Sequence, residues 1–168
     1  MNDIRRTSKR LFDIIFSPGG GSGLSPAIIV LAALIRLRMG KPILFKQPRL
    51  GLAGKPFMLY KFRTMTSDVN QEGDLLPDKE RLTRFGQFLR STSLDELPEL
   101  WNVLRGEMSV VGPRPLLVEY KDFYSPEQWR RHEMRPGMAG PVLASGRNTL
   151  SWEEKFQQDI AYVDNWSL

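Results

Sequence analysis

The sequence contains no cysteine and a single histidine, His132. The lack of cysteine excludes disulfide bonds and thiolate metal sites, and it fits a cytoplasmic chain. One histidine cannot build a multi-histidine metal cluster, and it argues against a Ser-His-Asp triad. Any chemistry must therefore rest on carboxylates, lysines and arginines, with or without a hard divalent cation.

Long apolar runs are also missing. The uncharged stretch from Leu24 to Ile35, which follows the glycine-rich residues, has 12 residues, fewer than the ~20 that a membrane-spanning helix needs. Arg36 and Arg38 follow this stretch, where they could meet lipid phosphates. Two interpretations stay open: a helix buried in the protein core, or an interfacial or re-entrant helix at a membrane surface.

The N-terminus is basic, and a short apolar segment, residues 11–16, follows its lysines and arginines. A secretory signal would continue this apolar run to a cleavage site of small residues. Residues 18–23 instead read Pro-Gly-Gly-Gly-Ser-Gly, a composition that cannot hold a helix and predicts a flexible linker.

The overall composition is that of a folded protein. The 168 residues are 41% hydrophobic and 26% charged, which predicts one domain with a single core. The net charge of +5 predicts an anionic partner, which could be nucleic acid, anionic lipid or a phosphorylated small molecule. We expect no nucleic-acid partner, because the sequence has neither a basic recognition helix nor an aromatic-basic RNA motif.

The predicted fold class is α+β, a compact helical domain with a short β-hairpin. Residues 42–45 and 57–62 have strand composition and are separated by a turn-rich segment, 51–56. A polar loop is predicted at 66–79 and helices at 78–90, 94–105, 126–133 and 151–163. The expected division is a basic, helical N-terminal segment, 1–39, and a main domain, 40–168.

Ser93 to Pro98 is the most informative stretch. Ser93 and Glu96 have the spacing of a capping box, which predicts a helix start. Pro98 agrees with an early helical position. Asp95 and Glu96 would then lie in the first helical turn, where free N–H groups and the helix dipole favour anions. Acidic residues that simply cap a helix would give the same pattern.

Several cations accompany this acidic pair. Arg114 lies between two prolines that fix the backbone around it, which suits it to bidentate phosphate binding. Arg90 closes the preceding predicted helix, and Lys61 and Arg63 flank Phe62 on one face of the second predicted strand. Two further arginines lie near glycines, Arg135 and Arg147. Together with Asp95 and Glu96, these residues predict a site for a diphosphate and Mg²⁺.

The sequence resembles the monotopic phosphoglycosyl transferases that begin bacterial glycan assembly. The motifs that carry the resemblance occur in family order over almost the whole chain: Lys9-Arg10-Leu11-Phe12-Asp13, Ser25-Pro26, Phe45-Lys46-Gln47-Pro48-Arg49-Leu50-Gly51, Tyr60-Lys61-Phe62-Arg63-Thr64-Met65, Arg90-Ser91-Thr92-Ser93-Leu94-Asp95-Glu96-Leu97-Pro98, Asn102-Val103-Leu104-Arg105-Gly106-Glu107-Met108-Ser109, Val111-Gly112-Pro113-Arg114-Pro115 and Gly146-Arg147-Asn148.

The resemblance implies a reaction and a set of partners. A phosphosugar passes from a UDP-sugar to polyprenol phosphate, and UMP is released. Asp95 would be the nucleophile that forms a covalent phosphosugar-aspartate. Glu96 would orient Asp95 or the metal, and both carboxylates would bind Mg²⁺. The resemblance further implies a location at the cytoplasmic face of the bacterial inner membrane, with a re-entrant helix broken at Ser25-Pro26.

The chain departs from the family pattern in three places. The glycine-rich residues 18–23 stand where the family has an apolar run, and residues 138–145 lack the usual Trp, Gln and first Asn. The sequence also ends at Leu168, where family members usually continue. These departures predict an engineered or trimmed, more soluble form. The alternative function is a non-catalytic module that binds a membrane surface or a polyanion.

Overall fold

The fold combines eight α-helices and four strands in the residues that the computed structural model describes, which are 3–16, 24–144 and 150–166. In chain order the elements are α1 (Asp3–Phe16), α2 (Leu24–Met39), β1 (Leu44–Leu50), β2 (Pro56–Phe62), α3 (Asp78–Arg81), α4 (Arg84–Ser91), α5 (Glu99–Arg105), β3 (Ser109–Val111), α6 (Pro126–Trp129), β4 (Gly137–Ala139), α7 (Pro141–Ala144) and α8 (Trp152–Asn165). Short 3₁₀ turns occupy 52–54, 94–96, 118–123 and 130–133. The mixed helical and sheet composition agrees with the predicted α+β class.

The predicted hairpin is confirmed. β1 and β2 pair antiparallel, from Leu44 opposite Phe62 to Leu50 opposite Pro56. β1 extends beyond the predicted strand because its second edge is also used: the Leu50 N–H donates to the Leu116 carbonyl at 3.0 Å. This contact brings the segment around Arg114 alongside the hairpin.

A second, parallel pair of short strands was not predicted. Ser109 of β3 lies opposite Gly137 of β4, and Val111 lies opposite Ala139. Three-residue strands leave no alternation to detect, so this pairing depends on tertiary structure. Residues 138–144, part of the segment that departs from the family pattern, form the end of β4 and α7.

The helix α2 resolves the two interpretations of the apolar run, because it has features of each. Leu31 and Ile35 are buried in a core cluster with Phe62 and Leu89. On the opposite side, Leu37 is 81% exposed, and Ile29 and Val30 are also exposed. α2 is therefore a core helix along one face and an uncovered apolar helix along the other.

The predicted break at Ser25-Pro26 is not observed within α2. Both residues lie in the first turn of the helix, where proline needs no N–H donor. The glycine-rich residues 18–23 lie outside the described residues, so the linker prediction and the re-entrant path stay predictions. None of the helices in the described ranges combines the length and apolarity needed to cross a bilayer.

Three of the four predicted helices have different boundaries from those expected. The predicted helix 78–90 is two helices, because Thr83 has extended backbone and its side chain accepts a hydrogen bond from Gly86 N–H as the cap of α4. The predicted helix 94–105 begins only at Glu99. The predicted helix 126–133 is α6 followed by a 3₁₀ turn, and α8 confirms the helix predicted at 151–163.

Helix α1 is fixed to the main domain by buried polar contacts. Lys9 Nζ donates to the Val111 carbonyl at 2.7 Å, and the Asp13 carboxylate accepts from the Ser109 hydroxyl at 2.8 Å. Arg10 donates to the Val103 and Leu104 carbonyls at the end of α5. The Lys-Arg-Leu-Phe-Asp motif thus supplies contacts that position α1 against β3 and α5.

Candidate active site

A cleft of about 920 Å³ opens between the hairpin, the 3₁₀ turn 94–96 and the segment around Arg114. Seven lysines and arginines line it, against three carboxylates. The cations are Lys46, Arg49, Lys61, Arg63, Arg81, Arg90 and Arg114, and the carboxylates are Asp78, Asp95 and Glu96. This excess of positive charge favours an anionic ligand.

The acidic pair lies in a 3₁₀ turn and not at the start of an α-helix, and the predicted capping box is wrong. Ser93 adopts a left-handed conformation with φ of +56°, and its side chain makes no cap hydrogen bond. The Glu96 side chain instead binds two cations, Lys61 and Arg114. These charge-assisted bonds are stronger than a neutral cap bond, so the chain forms a 3₁₀ turn before α5 begins.

Asp95 is a buried carboxylate that faces the cleft. Asp95 is 8% exposed, and its carboxylate makes no salt bridge to any residue in the described ranges. Burial raises the pKa of Asp95 and the nearby Glu96 adds to the rise, whereas Lys61 and Arg90 oppose it. A backbone hydrogen bond also favours the ionised form of Asp95, but burial still raises its pKa overall.

Glu96 is held between two cations. Its Oε1 accepts from Lys61 Nζ and from Arg114 Nη2, each at 2.7 Å. Burial alone would raise the pKa of Glu96, but Arg114 and Lys61 outweigh it and lower the pKa. Glu96 is thus ionised and already neutralised within the protein.

Glu99 is a buried acidic residue that was not among the predicted site residues. Its side chain is 3% exposed, and its Oε1 lies 3.2 Å from Lys61 Nζ. Burial is the main reason that the pKa of Glu99 rises to about 7. The helical spacing from Glu96 would have been the only signal for it, and that spacing occurs in many helices.

Arg90 and Arg63 have different uses. Arg90 lines the cleft, and its Nε donates to the Thr64 hydroxyl at 3.0 Å. The guanidinium of Arg63 instead binds protein acceptors through all three nitrogens: the carbonyls of Met65, Met39 and Lys41, and the Ser67 hydroxyl. β2 ends at Phe62, so Arg63 holds the backbone beyond the strand and does not repeat the position of Lys61.

Arg135 does not join this site, so its expected grouping with Asp95 is wrong. Its Nε donates to the Gly106 carbonyl at 2.8 Å, and it lines a separate cavity of about 280 Å³ with Lys9 and Asp13. The pairing of Gly137 with Ser109 directs the preceding residues towards the end of α5. Arg147 lies outside the described residues.

The donor set fits Mg²⁺ in part. Mg²⁺ commonly binds one or two carboxylates together with substrate phosphates and water. Asp95 has no salt-bridge partner among the described residues and suits this role, whereas Glu96 is occupied by two cations. No cluster of three or more acidic or histidine side chains suited to a metal occurs in the described ranges, so a bound ion would depend on the substrate for further ligands.

The family model and the similar proteins agree on one family for this chain. Residues 4–168 match the family model described as bacterial sugar transferase. The chain is 52% identical to the uncharacterized sugar transferase EpsL of Bacillus subtilis, over 95% of this chain and 79% of the relative.

Two relatives with fuller names are longer proteins. The chain is 39% identical to a UDP-glucose:undecaprenyl-phosphate glucose-1-phosphate transferase of Klebsiella pneumoniae, over 100% of this chain and 38% of the relative. A protein of the same name from Caulobacter vibrioides is 38% identical, over 95% of this chain and 64% of the relative. The chain thus spans less than two thirds of the length of these two proteins.

Proposed function

This chain belongs to the bacterial sugar transferase family, and we propose that it transfers a phosphosugar from a UDP-sugar to undecaprenyl phosphate. The names of the Klebsiella and Caulobacter relatives support this reaction. One structural observation supports this proposal most directly. Asp95 is a buried carboxylate without a salt-bridge partner in the described structure, and it lies in a cleft lined mainly by cations.

The proposed reaction has two displacements at the same phosphorus. A carboxylate oxygen of Asp95 attacks the phosphorus that bears the sugar, and the bond from that phosphorus to the UMP oxygen breaks. UMP leaves with the electron pair, and a phosphosugar-aspartate remains. A phosphate oxygen of undecaprenyl phosphate then attacks this phosphorus, and the carboxylate of Asp95 leaves. Covalent catalysis of this kind replaces one difficult step by two easier ones.

The neighbouring charges prepare Asp95 for this role. A nucleophilic carboxylate must be ionised, and Lys61 and Arg90 favour the ionised form against the effect of burial. Glu96 holds both Lys61 and Arg114 at 2.7 Å, which fixes two donors where phosphate oxygens would bind. A Mg²⁺ ion held by Asp95 and the diphosphate would offset further negative charge.

The partners of the reaction meet at a membrane, and α2 supports such a location. Ile29, Val30 and Leu37 are exposed apolar side chains of this helix, and Arg36 and Arg38 flank Leu37 in its last turn, a combination that favours an interface with anionic lipid. We propose that the protein acts at the cytoplasmic face of the bacterial inner membrane, where a UDP-sugar and undecaprenyl phosphate can both reach the cleft.

The first test compares Asp95→Asn with wild-type protein in a UMP-release assay, with UDP-sugars, undecaprenyl phosphate and Mg²⁺. We expect the variant to lose at least roughly 1,000-fold in kcat, as for other removed nucleophiles. Incubation with the UDP-sugar and Mg²⁺ but without undecaprenyl phosphate should add a phosphosugar to the wild-type chain but not to Asp95→Asn, by intact-protein mass spectrometry.

Asp122→Asn is the matched control, because Asp122 is exposed. It should retain both turnover and the covalent adduct. Turnover by Asp95→Asn at the wild-type rate would refute the nucleophile. Salt-sensitive binding of UDP-sugar or vesicles without turnover in any of the proteins would support the non-catalytic binding module.

A further inference from the structure

Arg49 is a partly buried cation that lines the cleft. It makes no salt bridge to any described residue, and its Nε is buried without a hydrogen-bond partner. Its Nη2 donates to the Gln47 side chain at 2.6 Å, and its Nη1 reaches the Pro115 carbonyl at 3.4 Å. A buried charge with unfilled hydrogen-bonding capacity is costly unless a ligand completes it.

The other cations of the cleft have their own uses. Arg114 and Lys61 bind Glu96, and Arg81 binds Asp78 at 2.5 Å. Each of the three guanidinium nitrogens of Arg63 donates to a protein acceptor. Lys46 is exposed and lies over the Tyr60 ring. Arg90 is exposed and donates to the Thr64 hydroxyl. Arg49 therefore differs from the other cleft guanidinium groups described here in having a buried donor, Nε, without a partner.

The backbone places Arg49 beside Arg114. Arg49 forms an antiparallel bridge with Leu117, and the next residue, Leu50, bonds to Leu116. Burial lowers the pKa of Arg49 and the positive charge of Arg114 lowers it further, whereas Glu99, Glu119 and Tyr120 oppose this by smaller amounts. Two neighbouring guanidinium groups repel each other until an anion lies between them. A group with charge on several oxygens relieves this repulsion best, since each guanidinium can bind oxygens in a bidentate manner.

We propose that Arg49 and Arg114 form a two-guanidinium clamp for the diphosphate of the UDP-sugar. This inference rests on the proposed function, because it takes the donor from that reaction. The diphosphate offers oxygens on two phosphorus atoms, and the clamp would hold them within the same cleft as Asp95. Arg49 would thus contact the substrate directly and increase the affinity for the diphosphate over the monophosphate product.

The test measures binding of UDP, UMP and uridine by calorimetry to the full chain, at one Mg²⁺ concentration. Arg49→Gln should weaken UDP binding roughly 10-fold or more, weaken UMP binding less, and leave uridine binding unchanged. Arg49→Lys should give an intermediate loss for UDP, because it keeps the charge but not the fork of donors. Arg84→Gln, an exposed arginine on α4, removes the same charge and should bind UDP like the wild type.

Several results would overturn the clamp. The clamp is wrong if Arg49→Gln binds UDP as tightly as the wild type, or if it loses affinity for UDP and uridine equally. It is also wrong if the wild-type protein does not bind UDP. If a thermal melt shows that Arg49→Gln does not fold, the same comparison of UDP, UMP and uridine binding is made with Arg49→Lys.

The UMP-release assay separates the two proposals. Turnover with unchanged UDP affinity in Arg49→Gln refutes the clamp alone, whereas Arg49-dependent UDP binding without turnover refutes the proposed reaction alone.

Discussion

Three carboxylates within five residues of chain, Asp95, Glu96 and Glu99, have three different environments. Burial raises the pKa of Asp95, two cations lower that of Glu96, and Glu99 reaches about 7 beneath Lys61. Environments that separate pKa values in this way give chemically similar groups different roles. In the proposed reaction Glu96 positions donors, Asp95 acts on phosphorus, and Glu99 holds Lys61 from the buried side.

Glu99 should make the stability of the protein depend on pH. Its pKa is about 7 in the folded protein against an ordinary 4.5, so the folded state binds more protons than the unfolded state between these values. Stability contributed by Glu99 is therefore present below pH 4.5 and lost as the pH rises to about 7. We expect the free energy of unfolding of Glu99→Gln, relative to wild type, to rise by roughly 3 kcal/mol between pH 4.5 and 8.

Urea unfolding at a series of pH values measures this difference. Glu119→Gln is the control, because Glu119 is exposed and its replacement should leave the pH dependence of the wild type unchanged. Parallel stability curves for Glu99→Gln and wild type would show that the Glu99 carboxyl does not titrate as described.

The cleft residues that lie in motifs were predictable from sequence, and Lys61 and Arg63 are among them. Asp95, Glu96, Arg90 and Arg114 lie near one another in sequence or in motifs that mark a site, and all line the cleft. Arg135 carried the same kind of signal but lies elsewhere, because the pairing of β3 with β4 directs it away. Which arginine has a buried donor without a partner, as Arg49 does at Nε, depends on burial and hydrogen bonding, which a sequence pattern does not contain.

At the scale of elements, local patterns predicted the hairpin and α8 but not the start of α5. The hairpin follows from two strand-like segments around a turn, and the cap of α8 is a capping box formed by Ser151 and Glu154. The same pattern at Ser93 and Glu96 failed, because Glu96 has stronger partners in Lys61 and Arg114. A local signal is thus reliable where no tertiary charge competes for its side chain.

The packing of α4 against the end of β2 depends on Gly86. Gly86 is buried, and a Cβ atom at this position would overlap the Thr64 carbonyl oxygen. We expect Gly86→Ala to destabilise the protein by roughly 1–3 kcal/mol or more, because the backbone at Thr64 must move. The gain in helix propensity from alanine, about 1 kcal/mol, is too small to offset this strain.

The measurement is the midpoint of thermal unfolding, where each kcal/mol corresponds to about 2–4 °C in a protein of this size. Gln87→Ala, next in the same helix but exposed, should leave the midpoint unchanged or raise it slightly. A midpoint for Gly86→Ala equal to that of Gln87→Ala would contradict the close approach of α4 to Thr64.

At the scale of the whole molecule, α2 joins the core to an uncovered apolar surface. Leu31 and Ile35 tie this helix to the hairpin and α4, while Ile29, Val30 and Leu37 remain exposed. Exposed apolar side chains near basic residues are typical of surfaces that meet lipid. The net charge of +5 adds attraction to an anionic membrane, so one rigid helix could place the cleft relative to the bilayer surface.

Leu37 and Phe123 allow this surface to be tested with a matched pair, since each is 81% exposed. Leu37 lies on α2, whereas Phe123 ends the 3₁₀ turn 118–123. Leu37→Ser should weaken binding to anionic phospholipid vesicles roughly 10-fold in a sedimentation assay, because inserting a leucine side chain contributes at least about 1.5 kcal/mol. Phe123→Ser should bind vesicles like the wild type, and neither change should affect stability, because both side chains are exposed. An equal loss in the two variants would mean that any exposed apolar side chain contributes, and no loss in Leu37→Ser would remove α2 as the membrane contact.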